Sequence, residues 1–245
     1  MGEEGKFYYL TFKVTDKYNQ NNTINNIQST FLFRKMNAFH QWLKSEGIED
    51  SPDTIPLHRI DDLYGAEFEK RLSASCLKYQ AIRSREQDIR SFNEAFYTGQ
   101  LVDSHLTGKS GLAFLETLMA WKMVRGKYRP TLLPLIQRND QGSVGRILQE
   151  ARDLTSVGER LRRLQELKGV GPATASLVAS VYDPKIAFFS DQAASLLLQS
   201  SSLKYTEKEL FSYLNVMNNL EISSKASISN RDLEKCLWTF CMVSK

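Results

Sequence analysis

Ten residues, Leu167-Lys168-Gly169-Val170-Gly171-Pro172-Ala173-Thr174-Ala175-Ser176, constrain this chain more than any other stretch. Upstream of them Ser156 and Glu159 have the spacing of a helix-capping pair, and Leu161, Leu164 and Leu167 recur on one helical face. A helix therefore arrives at Gly169. Gly169 and Gly171 permit positive φ and close backbone approach, and Pro172 suits the first position of a new helix, where no amide hydrogen is required. The predicted result is two helices joined by a glycine hairpin. The first-turn amides of the second helix lack intrahelical acceptors and sit at the positive end of its dipole, the arrangement that holds an anionic oxygen. Read blandly, the same residues make a tight helix-helix turn in an ordinary bundle.

Charge favours the phosphate reading. Lys122 through Lys168 carries eleven Lys and Arg against five Asp and Glu, a local net of +6, while the whole 245-residue chain has a formal net charge of +4. A basic segment running into a phosphate-gripping turn is what a surface displacing counterions from a nucleic-acid backbone requires. Arg125, Lys127 and Arg129 are the candidate basic contacts, and Tyr128 between them is placed to stack on an exposed base.

The stretch from Leu167 to Asp191 resembles the helix-hairpin-helix module of the endonuclease III-like DNA glycosylase superfamily. Leu167-Lys168-Gly169-Val170-Gly171 stands where that family has Leu-Pro-Gly-Val/Ile-Gly, with Lys168 replacing the proline. Ala173-Thr174-Ala175 occupies the helix opening, and Asp191 follows where the family places its catalytic aspartate. Over about residues 110 to 240, Ala120-Trp121-Lys122-Met123, the hairpin and Phe188-Phe189-Ser190-Asp191 are also similar to uncharacterised eukaryotic, notably fungal, glycosylase-like proteins. The resemblance implies a mainly α fold, duplex DNA carrying a damaged or mismatched base as partner, and phosphate contacts at Lys168, Gly169, Val170, Gly171, Ala173 and Thr174.

It also implies chemistry. Releasing a base builds oxocarbenium character on the sugar, which an ionised carboxylate at Asp191 can stabilise while it orients water. An Asp that merely caps a helix would fit the same position. Where strand-cutting members carry a Schiff-base lysine this chain has Ala173, so the expectation is a monofunctional N-glycosylase without lyase activity. A catalytically silent module that binds DNA lesions and recruits partners is the alternative. Phe188 and Phe189 are candidate walls of a base pocket, although large aromatics more often serve burial.

Three cysteines cannot supply the four-cysteine iron-sulfur site of some family members, and His40, His58 and His105 are scattered, so no metal or cofactor is expected. The resemblance leaves room for a structural Na⁺ or K⁺ on hairpin carbonyls near Leu167 and Val170. An odd cysteine count, an acidic start and the lack of a long apolar run point to a soluble intracellular protein, with the nucleus as the expected setting.

Two regions are expected. In residues 1–60, Phe7 to Val14 and Ser29 to Phe33 read as arms of a β-hairpin with an Asn-rich tip, followed by a short helix over Asn37 to Lys44 and a loop with Pro52 and Pro56. Residues 61–245 read as helical, with helices near 65–82, 85–98, 110–125, 130–138, 143–153, 156–168, 172–182, 191–200, 206–217 and 229–242. All strand is placed in the N-terminal region.

Overall fold

The computed structural model describes residues 12–14, 38, 41–42, 45, 57–98, 101, 109–222 and 228–243. Within these the protein is mainly α. A short strand, β1 (Phe12–Val14), is followed by the helices α1 (Leu57–Lys78), α2 (Gln80–Arg83), α3 (Glu86–Thr98), α4 (Lys109–Arg125), α5 (Leu132–Gln137) and α6 (Gln141–Asp153). Then come α7 (Val157–Leu164), α8 (Pro172–Tyr182), α9 (Asp191–Leu198), α10 (Glu207–Asn219), a second strand β2 (Leu220–Ile222) and α11 (Asn230–Val243).

The centre is α4. Phe114, Leu115, Leu118, Met119, Ala120, Trp121, Met123 and Val124 are all buried, so this helix has core on nearly every side. Around it pack α1, α3, α5 and α6, while α11 lies against α1 and α9. The C-terminal carbonyls of α4 find partners on other elements. Arg71 donates to the Val124 and Gly126 oxygens at 2.9 and 3.0 Å, and the Trp238 indole donates to the Arg125 oxygen at 3.2 Å. Donors from two other helices thereby hold the end of α4 in place.

Side-chain caps set several helix starts. Asp140 accepts from the Ser143 amide at 2.8 Å, Ser156 from Glu159 and Ser190 from Ala193. Thr206 and Glu209 form a reciprocal capping box at α10.

Two expectations change. The long first helix begins at Leu57, directly after Pro56, and breaks at Tyr79, whose φ of −128° is extended. Strand is also not confined to the N-terminal region, because β1 pairs antiparallel with β2, Phe12 opposite Ile222 and Val14 opposite Leu220. The pattern of residues 7–14 announces a strand but carries no information about a partner more than two hundred positions away. The second arm expected at Ser29 to Phe33 and the Asn19 to Asn26 tip lie outside the described residues; of the Asn37 to Lys44 helix, Ala38, Gln41 and Trp42 are helical. No helix among the described residues is long and apolar enough to cross a membrane.

Candidate functional site

The hairpin between α7 and α8 is built by one glycine, not two. Gly169 has φ +81°, the left-handed region that favours glycine, and a Cβ there would lie 3.1 Å from Leu135 Cβ and 3.2 Å from the Ile136 amide nitrogen. Its bare α-carbon lets the turn seat against α5. Gly171, expected to share the left-handed role, is instead an extended N-cap at φ −93° with open space around its α-carbon. Pro172 occupies the first turn of α8 and no side chain caps that helix, so its leading amides have no side-chain acceptor.

A side chain absent from the sequence reading fixes the hairpin's aim. The Asn139 amide donates to the Lys168 oxygen at 2.9 Å and accepts from the Lys168 nitrogen at 2.8 Å, pairing with that residue's backbone as a strand would. Lys168 itself is exposed, with its amine near the Arg138 oxygen at 3.4 Å, and Gly171 is exposed at the apex. Val170 and Ala173 turn their side chains into the core.

Where the end of α4 meets the start of α9 lies a narrow cleft lined by Lys122, Arg125, Gly126, Lys127, Arg129, Leu132, Phe188, Ser190, Asp191 and neighbours, about 350 Å³ including its open mouth. Asp191 reaches it from the first turn of α9. The cap of that helix is Ser190, so the Asp191 carboxylate is not consumed by capping. Tyr205 donates to Asp191 Oδ1 at 2.9 Å, and a Cβ on Gly126 would stand 3.6 Å from Oδ2. Burial and the Asp191 charge push the Tyr205 phenol up, keeping it a donor. Arg129 covers the Tyr205 ring with its guanidinium 4.6 Å from the centroid.

The segment carrying Asp191 is anchored on both sides. Ser176 of α8 accepts from the Phe189 amide at 2.9 Å, and the Tyr213 hydroxyl of α10 donates to the Phe188 oxygen at 2.9 Å. Thus α8, which starts at the hairpin, also positions the carboxylate.

Lys122 joins the two features. Projecting from α4 into the cleft, it donates to Thr174 Oγ1 in the first turn of α8 at 3.0 Å. Its burial, together with the Arg129 charge and against the opposing pull of Asp191, lowers its amine to about 8. A lysine inside the otherwise apolar run Leu118 to Val124 is the sequence signal that could have found it.

Other expectations sort by burial. Thr174 is 3% exposed and bonded to Lys122, so its hydroxyl is not a phosphate contact. Arg125, expected on a basic surface, is 1% exposed; it makes a two-pronged pair with Glu234 at 3.0 and 3.1 Å. Trp121 and Trp238 hold its guanidinium at 4.8 and 4.6 Å from their rings. Burial is the largest influence and opposes that charge, but Glu234, Tyr97 and Tyr64 together outweigh the cost and raise the Arg125 pKa. Phe188 lines the cleft, whereas Phe189 is wholly buried against Tyr213. Tyr128 is half-buried in a stack on Tyr79, with ring centroids 3.6 Å apart.

Of the basic segment, Arg160 is buried against the Ala151 and Leu154 oxygens, Arg162 pairs with Glu207, and Arg163 with Glu150 and Glu166. Lys127, Arg138, Arg146 and Lys168 remain exposed with no ion pair among the described residues, and Arg129 is half-exposed at the cleft. Compared with protein-family models, with curated proteins and with solved structures, the chain matches none, so the site's meaning rests on its own geometry.

Proposed function

We propose that this chain is a DNA-binding repair protein of the helix-hairpin-helix glycosylase type, acting on a damaged or mismatched base with Asp191 as the ionised carboxylate. The observation that carries the reading is the Lys122 to Thr174 bond. It ties the helix that opens at the glycine hairpin to the wall of the Asp191 cleft, so a strand held at one would pass the other. Exposed Lys168 at the hairpin, with Lys127 and Arg129 at the cleft, supplies the cationic contacts to phosphate, and exposed Gly171 leaves the backbone open at the apex. Asp191 faces the reacting sugar, held by Tyr205, and stabilises positive charge as the base departs.

The test is a panel of duplexes, each with one damaged or mismatched base, incubated with protein and then alkali to reveal abasic sites. An abasic product from one lesion, lost in Asp191→Asn with duplex affinity retained, is the expected result. Lesion binding with no product from any duplex would favour the silent recognition module, a reading for which the narrowness of the cleft speaks. Affinity insensitive to salt would remove nucleic acid altogether.

A further inference from the structure

We propose that Lys122 is a second reactive group of this cleft, whose amine forms an imine with the C1′ aldehyde of an abasic deoxyribose and so gives the protein the strand-lyase activity that Ala173 cannot supply. The inference rests on the nucleic-acid reading of the site and reverses the expectation drawn from Ala173. Position is the first argument. Lys122 sits on α4, far from the hairpin in sequence, yet its Nζ ends 3.0 Å from the hydroxyl of Thr174, the residue after Ala173, in the cleft that Asp191 lines.

The second argument is its lack of an ionic partner. Arg125 is bound by Glu234, Arg160 lies 3.7 Å from Asp183, and Lys235 pairs with Asp61 and Asp232. Each of these buried cations has a carboxylate within ion-pair distance. Lys122 has none among the described residues, and its bond goes to a neutral hydroxyl that accepts equally well from –NH₃⁺ or –NH₂. Lowered to about 8, the amine is unprotonated in roughly one molecule in ten at pH 7, against fewer than about one in a thousand for an ordinary lysine. Desolvation is the main cause of that lowering and Arg129 adds to it, while the Asp191 charge pulls the other way; a desolvated amine is the setting in which lysine becomes a nucleophile.

The reaction balances without a cofactor. The Nζ lone pair attacks C1′ of the open-chain sugar and a C–N bond forms. Both amine protons and the carbonyl oxygen leave as water, giving the neutral imine. Protonated imine acidifies C2′; a base, for which Asp191 is in reach of the cleft, takes the C2′ proton as the C3′–O bond breaks and the 3′ phosphate departs with its electron pair. Water then releases Lys122 by hydrolysis.

The experiment treats the full chain and a duplex bearing one preformed abasic site with sodium borohydride, which reduces the imine to a stable amine. Covalent adduct is read on a denaturing gel and its lysine mapped by peptide mass spectrometry, with duplex binding measured in parallel. Expected are an adduct on Lys122, at least a tenfold loss in K122M and K122R, retention in K208A at an exposed lysine of α10, and a yield that climbs between pH 7 and 9. Thermal melts of K122M and K122R check that they fold. Binding without adduct, or an adduct on another lysine, overturns the assignment and leaves the DNA reading standing; absence of binding overturns both. Because the abasic site is preformed, D191N that fails to release bases but still traps would separate the two reactions.

Discussion

Tyr205 donates its hydroxyl to Asp191 Oδ1 across 2.9 Å from a backbone held at φ +56°, a left-handed conformation unusual for a tyrosine. Such strain persists where surrounding structure compels it, and it clusters at working sites. Here it aims a phenol at Asp191, the one carboxylate lining the cleft among the described residues. Tyr205→Phe removes the hydrogen bond to a charged acceptor, a contact of about 1.5–3 kcal/mol. Base release is expected to fall at least tenfold in single-turnover assays while duplex affinity stays within about twofold. An unchanged rate would show that Asp191 needs no such support.

The two hairpin glycines should respond oppositely to alanine. Gly169→Ala places a Cβ against Leu135 and the Ile136 nitrogen in a left-handed backbone, and should lower unfolding free energy by about 1–3 kcal/mol. Gly171→Ala meets open space and an extended backbone, so stability should move by less than about 1 kcal/mol. Yet its methyl stands at the exposed apex where, under the proposed function, a phosphate would approach. Duplex affinity is expected to drop about tenfold in Gly171→Ala, measured by fluorescence anisotropy alongside urea melts of both variants.

Arg125 and Glu234 form the deepest ion pair among the described residues, at 1% and 0% side-chain exposure. Removing either partner strands a charge in an aromatic box, so Arg125→Met or Glu234→Leu alone should cost about 3–5 kcal/mol. The double variant should recover much of that loss, because neither charge is then buried unpaired. A double-mutant cycle in urea distinguishes this from simple loss of packing.

Lys122 carries a stability cost with a definite pH dependence. Its pKa falls from the ordinary 10.5 in the unfolded chain to about 8 in the fold, so between those values the unfolded state binds more protons. Stability contributed by this group therefore rises as pH climbs from about 8 toward 10.5 and is at its lowest below about 8. Lys122→Met removes the burden and leaves Thr174 free to bond its own helix. At pH 7 the variant is expected to gain about 1–3 kcal/mol, measured by chemical denaturation, with the gain shrinking at pH 10. A variant less stable at pH 7 would show that the amine is not disfavoured in its charged form.

Much of the helical layout was legible because each helix announces itself locally. Ser156, Asp140 and Thr206 sit before apolar-periodic runs, and Pro172 and Gly169 punctuate the hairpin, so the starts of α8 and α9 fall at the predicted residues. Asp191 was singled out by the family resemblance of the segment that carries it. Lys122, Asn139, Tyr205 and Ser176 were not, because each gains meaning only from a residue 13 to 52 positions away, and no local period encodes that distance.

Arg125 marks the boundary most sharply. As a residue type in a basic run it belongs on the surface, and only the presence of Glu234 109 positions later, with Trp121 and Trp238 on either side, draws it inside. The sequence alone determined where α8 and α9 start, where the chain turns sharply and which segment is cationic, since these follow from backbone chemistry over a few neighbouring residues. Tertiary structure decided which charges face solvent, which pair in the core and which line the Asp191 cleft. Desolvation and partner distance settle those matters, and both exist only once remote helices have packed.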